Sequence, residues 1–376
     1  MNITPPDNDS LLSIKTILAH FLIDGDVRIA PYGSGHIHDT YHVETESGTG
    51  PENYIIQRVN RVVFKRIPEL IDNMQRVTAH IRTKLQESPD SDIKRCTLHM
   101  RTTNEGQQFY LDPEGNYWRV CDFIPHALTY DVVLDGQHAY EAGRAFAHFQ
   151  MLLTDLPPPP LIETIPFFHH TPRRFTALEE AVSRDASHRA PDCAADINFA
   201  MSRRDMIDVV SNELETGMLP LRTTHNDTKI NNVLIDNTSR RAVCVIDLDT
   251  VMPGSVLYDF GDQVRTTAGQ FVENEKDHSK VTVDLDVYEQ LAKGYLSVAN
   301  SFLVEREIEL LPFAGRLMTF TIGIRFLADY LDGDLYFKTS YPGENLDRAR
   351  AQFAFVRSIE ENMDAMEEIT RRHIAT

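Results

Sequence analysis

A lysine and several oxygen-bearing side chains crowd one stretch of this sequence, His225-Asn226-Asp227-Thr228-Lys229-Ile230-Asn231-Asn232. The apolar Val233-Leu234-Ile235 comes next, then a polar turn over 236–240, then Val243-Cys244-Val245-Ile246-Asp247-Leu248-Asp249. Both apolar runs are β-branched enough to be strands, and the turn between them makes a hairpin. In an antiparallel hairpin the residue entering the first strand lies beside the one leaving the second, so Asn232 and Asp247 become neighbours. Asp227 and Lys229 sit on the loop leading in. That set suits phosphoryl transfer. Mg²⁺ is a hard cation that takes few protein oxygens besides the phosphates it accompanies, and Asn232 and Asp247 are the candidate metal ligands. A separate carboxylate, Asp227, can orient an attacking hydroxyl and take its proton. Lys229 can offset charge on the group in flight.

The elements that must position these residues divide the chain in two. Residues 27–32, 40–43, 54–59, 108–111 and 117–123 read as strands by alternation and β-branching. Between the third and fourth, residues 66–88 carry Ile67, Leu70, Ile71, Met74, Val77 and Ile81 at helical spacing. The order β-β-β-α-β-β predicts a five-stranded antiparallel sheet with one helix over 1–124, and helices dominate 125–376 apart from the catalytic hairpin. A further amphipathic helix is expected over 137–153. This is an α+β chain of two lobes.

Bulk properties narrow the class. With 376 residues and a formal net charge of −19, no basic run offsets the carboxylates, which argues against a nucleic-acid partner. The apolar stretches are interrupted well short of membrane-spanning length. The opening residues lack the basic and apolar regions of an export signal, and four scattered cysteines fit reduced thiols. A cytoplasmic protein with no membrane partner is the expectation; oligomeric state is left open.

The spacing HxDxKxxN, with a hairpin after it ending in Ile-Asp-Leu-Asp, resembles the kinase catalytic loop, and more closely the aminoglycoside phosphotransferase and choline kinase-like families. That resemblance implies a protein kinase-like bilobal fold with ATP and Mg²⁺ as cofactors. It gives His225 a supporting role in the loop. Asp249 would point the same way as Asp247 in a continuing strand, leaving three roles open: second metal ligand, substrate contact, or solvated turn carboxylate. Asp259-Phe260-Gly261 spells the kinase metal tripeptide, yet it falls beyond the hairpin, so Asp259 reads as structural, a brace for the loop. On the nucleotide side, Gly33-Ser34-Gly35 between two strands can bring backbone amides to ATP phosphates, although His38 stands where the third glycine of GxGxxG would be. The third strand offers Gln57 and Arg58 where a kinase carries its phosphate-contacting lysine, and Asn73 on the helix is the candidate amide partner of Gln57. Backbone groups around Asp122-Phe123-Ile124 are expected to meet adenine.

A narrower resemblance spans nearly the whole chain. Residues 33–41 and 54–60, Phe168-His169-His170-Thr171-Pro172-Arg173-Arg174-Phe175, Ile246 to Gly254, 325–334 and 336–339 are similar to segments of N-acetylhexosamine 1-kinases. This implies transfer to the anomeric hydroxyl of GlcNAc or GalNAc, a small-molecule sugar, with Asp227, Asp249, Arg325 and Tyr336 among the substrate contacts. Two rivals remain. The acidity suits a kinase of a cationic alcohol such as choline or an aminoglycoside, and Gln57 with the incomplete glycine loop suits a non-catalytic nucleotide-binding protein.

Overall fold

The computed structural model describes residues 8–33, 37–47, 50–87, 92–269 and 271–374. The chain forms two compact units. The first comprises 1–127 together with 156–165 and 246–251, and the second comprises 128–155, 166–245 and 252–376. The turn that carries Asp247 and Asp249 thus belongs to the first unit, and the Asp227 loop to the second.

In the first unit, β1 (Val27–Pro31), β2 (Asp39–Ser47), β3 (Gly50–Val59), β4 (Tyr110–Leu111) and β5 (Tyr117–Asp122) form an antiparallel sheet in the order β1-β2-β3-β5-β4. Its register places Gln57 opposite both Thr40 on β2 and Arg119 on β5. Alternation sends Tyr54 and Ile56 into a core with Val43, Trp118 and Val120. Helix α1 (Asn8–His20) packs Ile14, Ile17 and Leu18 into that core. Helix α2 (Ile67–Gln86) buries Ile67, Leu70, Ile71, Met74, Val77 and Ile81, the residues its sequence period selects.

The second unit is mainly helical, with its core built on the helices Gly136–Leu152, Leu285–Ala299, Leu311–Asp332 and Glu344–Glu361. The first two pack backbone to backbone. A Cβ on Gly294 would stand 2.0 Å from the Tyr140 carbonyl oxygen, and one on Gly143 would stand 2.4 Å from that of Leu291. The hairpin after the Asp227 loop pairs Val233–Asp236 with Ala242–Val245, Val233 facing Val245. Its turn is fixed by Asp236, whose Oδ1 accepts from the amides of Thr238 and Ser239 at 3.0 and 2.7 Å. Among the described residues no helix is long and apolar enough to cross a membrane.

Candidate functional site

The strand Arg222–Thr224 pairs with Met252–Gly254 and delivers the chain into the candidate catalytic loop. Asn226 takes a left-handed conformation, φ 64°, which asparagine tolerates better than most residues. The surroundings hold it there. Asp259 accepts from the backbone amides of His225 (2.9 Å) and Asn226 (2.7 Å) and from Gln150 Nε2 (2.7 Å), while its own carbonyl accepts from Thr228 Oγ1 (2.6 Å). Buried His169 donates from Nε2 to the Asn226 carbonyl at 2.7 Å. Asp259 therefore occupies the place of a brace, gripping the loop through its backbone.

Asp227 projects from this braced turn. Lys229 Nζ lies 3.0 Å from its Oδ1, and Asn232 Nδ2 donates to the Asp227 carbonyl (2.8 Å) and to its Oδ2 (3.2 Å). Burial alone would raise the Asp227 carboxyl, but the Lys229 ammonium, with His225 and Arg265 behind it, holds it below the ordinary carboxylate value. Asp227 is thus ionised at neutral pH and ready to accept a proton. Asn232 spends its NH₂ on Asp227, which leaves the amide oxygen as its hard-cation donor. Among the described residues no three His, Cys, Asp or Glu side chains gather as a metal cage. An amide oxygen and one carboxylate fit the few protein ligands that Mg²⁺ asks for beside a polyphosphate.

Arg325 and Tyr336 come together in the second unit. The Arg325 guanidinium lies 5.6, 5.8 and 5.4 Å from the ring centres of Phe168, Tyr336 and Phe337. The Tyr336 loop is held by Asp329, whose carboxylate accepts from the amides of Leu335, Tyr336 and Phe337 at 3.0, 2.8 and 2.9 Å. Arg174 reaches back to the Phe168 carbonyl at 3.0 Å. Among the described residues neither Arg325 nor Arg174 makes an ion pair with a carboxylate. Burial and the neighbouring Arg174 push Arg325 down to about 10, so the niche remains cationic at neutral pH. Tyr336 is 69% exposed, an aromatic face open to a ligand.

In the first unit the sequence-derived picture needs correction. Gln57 does not meet Asn73. Its Oε1 accepts from Arg119 Nε at 2.9 Å and its Nε2 donates to Thr40 Oγ1 at 3.1 Å. Asn73 is spent on the Ile162 backbone and, at 3.2 Å, on the Val251 carbonyl. Arg58 faces away, exposed and paired with Asp39. The cation on the inner face is Arg119, directly across from Gln57. It is fully buried and forms a two-pronged ion pair with Asp249, Nη2 to Oδ2 at 2.8 Å and Nη1 to Oδ1. The strand expected to carry Asp249 alongside Asp247 ends at Val245, and Leu248–Thr250 make a 3₁₀ turn, so the two carboxylates do not share a strand face. Asp249 is committed to Arg119 and to His38 Nε2 (2.7 Å), which removes the solvated-turn reading. Gly33 lies in the left-handed region, φ 81°; Ser34 and Gly35 fall outside the described residues. The Asp122 side chain pairs with Arg101 (2.6 Å) and His99 (2.7 Å), and Ile124 is buried.

Sequence reasoning missed Arg119, His169 and Arg174. The first carried a signal: a charged residue inside the apolar run Trp118–Cys121 implies a buried partner. His169 gives a testable pH dependence. Burial pushes its imidazole down to about 4, against the opposing pull of the Asn226 carbonyl and Asp262. Its folded-state value lies below the unfolded value of about 6.5. The neutral ring's contribution is then complete above that pH and is lost as pH falls toward 4. Urea midpoints of the wild type should drop more steeply over this window than those of His169→Gln; parallel profiles would refute the assignment.

A model of the phosphotransferase enzyme family (APH) matches residues 28–297. Among solved structures, a microcompartment-associated aminopropanol kinase superposes with a TM-score of 0.64 at 16% identity, over 95% of this chain and 98% of its own. An ethanolamine kinase from Plasmodium vivax gives 0.58 at 14% identity, over 93% and 91%. A spectinomycin phosphotransferase, solved with ADP and spectinomycin, gives 0.50 at 16% identity over 99% of both chains. At such identities the likeness is one of fold.

Proposed function

Because the chain belongs to the phosphotransferase enzyme family, we propose that it transfers the γ-phosphoryl group of ATP to the anomeric hydroxyl of an N-acetylhexosamine, yielding the sugar 1-phosphate. The observation that carries the transfer is the braced Asp227, ionised, partly exposed and 3.0 Å from Lys229. Asp227 takes the acceptor's proton as the new O–P bond forms. The Lys229 ammonium holds that carboxylate in place and offers its remaining N–H donors to the equatorial phosphoryl oxygens. Asn232, through its amide oxygen, and Asp247 are the proposed Mg²⁺ ligands, and the ion would neutralise charge on the triphosphate when bound. Gly33 and the strand end at Asp122 to Ile124 are the proposed nucleotide contacts on the first unit.

The acceptor is argued from the other half of the site. A niche whose two arginines make no ion pair with a carboxylate among the described residues repels a cation, which disfavours amino-alcohol and aminoglycoside acceptors despite the acidity of the chain. Tyr336, Phe168 and the Arg325 donors suit the apolar ring face and the carbonyl or hydroxyl oxygens of a neutral sugar, in line with the sequence resemblance of these same segments. An anomeric hydroxyl is more acidic than an ordinary alcohol because the ring oxygen withdraws charge, so it matches a base weakened by the lysine beside it.

The test is turnover with Mg²⁺ and ATP across GlcNAc, GalNAc, their methyl glycosides, choline and kanamycin. Turnover of the free amino sugars and none of the glycosides is expected. Equal turnover of the glycosides would overturn the anomeric position, and preference for choline or kanamycin would overturn the sugar.

A further inference from the structure

Asp247 presents a conformational problem. It sits in the left-handed region, φ 58° and ψ 59°, at the entry to the 3₁₀ turn Leu248–Thr250. Aspartate visits that region at a cost of order 1 kcal/mol or more, and such a residue persists only where its surroundings over-determine it. Within the first unit, the chain just after Asp247 is tied down twice. Asp249 is seized by Arg119 and His38, and the Val251 carbonyl accepts from Asn73. Leu248 and Val251 are themselves buried.

The clamp is built to a single geometry. Arg119 directs Nη1 and Nη2 at the two oxygens of Asp249 and Nε at Gln57 Oε1. Gln57 is oriented in turn, because its NH₂ goes to Thr40. His38 Nδ1 accepts from the Asn60 amide at 3.1 Å, which puts the ring proton on Nε2, where it serves Asp249. Residues from β2, β3, β5 and the segment between β1 and β2 therefore converge on one carboxylate 130 residues from Arg119 in sequence. Stability does not explain this. A buried ion pair gains little over a well-packed apolar pair of the same volume, and its best-attested benefit is a unique arrangement.

We propose that Arg119 is a positioning residue: by clamping Asp249 against the sheet, with His38 and Gln57 as its supports, it fixes the 246–251 turn and so aims the Asp247 carboxylate at the metal. The inference rests on the reading of Asp247 as a metal ligand. It also accounts for Gln57 at the strand-three position. A lysine there would place a second cation beside Arg119, whereas glutamine accepts from it.

Binding of Mn²⁺ is the readout, monitored by electron paramagnetic resonance in the presence of a non-hydrolysable ATP analogue, so that turnover plays no part. In the double variant Arg119→Gln/Asp249→Asn, which removes both charges and leaves a shorter amide opposite a near-isosteric one, the half-saturating Mn²⁺ concentration should rise by about tenfold or more, the usual scale for losing an outer support of a metal ligand. On an Asp247→Asn background the same double change should add nothing further. Unchanged Mn²⁺ binding in the double variant, or an undiminished extra loss on that background, would overturn the proposal. If the double variant does not fold, His38→Phe decides. It keeps the ring stacked near Phe64 and removes its bonds to Asp249 and to the Asn60 amide. Weaker Mn²⁺ binding supports the clamp, and wild-type binding rejects it. Failure of the underlying reading looks different: Asp247→Asn alone would then bind Mn²⁺ like the wild type.

Discussion

Asp227→Asn should lower kcat by about 10²–10⁴-fold, the range general-base catalysis supplies, while nucleotide still binds. The substitution is nearly isosteric, so the loop braced by Asp259 and His169 should survive it. What disappears is the proton acceptor and the charge that holds Lys229 at 3.0 Å. The proposed nucleotide contacts at Gly33 and at Asp122 to Ile124 do not draw on Asp227, and Asn232 keeps its bond to the Asp227 carbonyl, so the dissociation constant for ATP should move little. Steady-state turnover with GlcNAc, paired with calorimetric titration of the nucleotide, separates the two effects. Near-normal turnover would remove Asp227 from the role of base and move the acceptor's proton elsewhere.

The second large effect is expected at a residue that touches no substrate. Asp259→Ala strips the partner from the His225 and Asn226 amides and from Gln150, all buried. A buried donor left unpaired costs about 1–3 kcal/mol, and these three share one acceptor, so a total loss of roughly 3 kcal/mol is reasonable. The thermal midpoint should fall by several degrees. Activity should fall further than folding does. Asn226 is kept left-handed by this grip, and misplacing a catalytic group by about 1 Å can cost on the order of a hundredfold. Melting curves and kcat measured well below the new midpoint test the pair of claims. A destabilised variant with full kcat would show that the loop holds its shape without Asp259.

The sheet, α2 and the hairpin after the Asp227 loop were legible because each announces itself locally. Ile67 through Ile81 repeat at helical spacing, and Val233 and Val245 flank a polar turn, so their pairing is written within a short span. Helix α1 lies outside the expected order, although Ile14, Ile17, Leu18 and Phe21 carry the same period. Arg119 and Asp249 were beyond the reach of such reasoning. Their partnership spans 130 residues and depends on a strand register that no local pattern states. The strand reading of Asp249 failed for a related reason: nothing between Val245 and Thr250 signals that the backbone leaves the extended region at Asp247. For Phe168 to Phe175 the family resemblance pointed toward the substrate side, but aromatic and basic residues without a period could not say that Arg174 and Phe168 would gather beside Arg325.

Exchanging helical glycine for alanine is a standard route to thermostable variants, worth up to about 1 kcal/mol per site through reduced chain entropy. Gly143 and Gly294 close that route where the helices Gly136–Leu152 and Leu285–Ala299 cross, since a methyl group on either would collide with the carbonyl of the facing helix. An engineer hardening this enzyme should leave that seam untouched. A library that randomises it will mostly return insoluble protein.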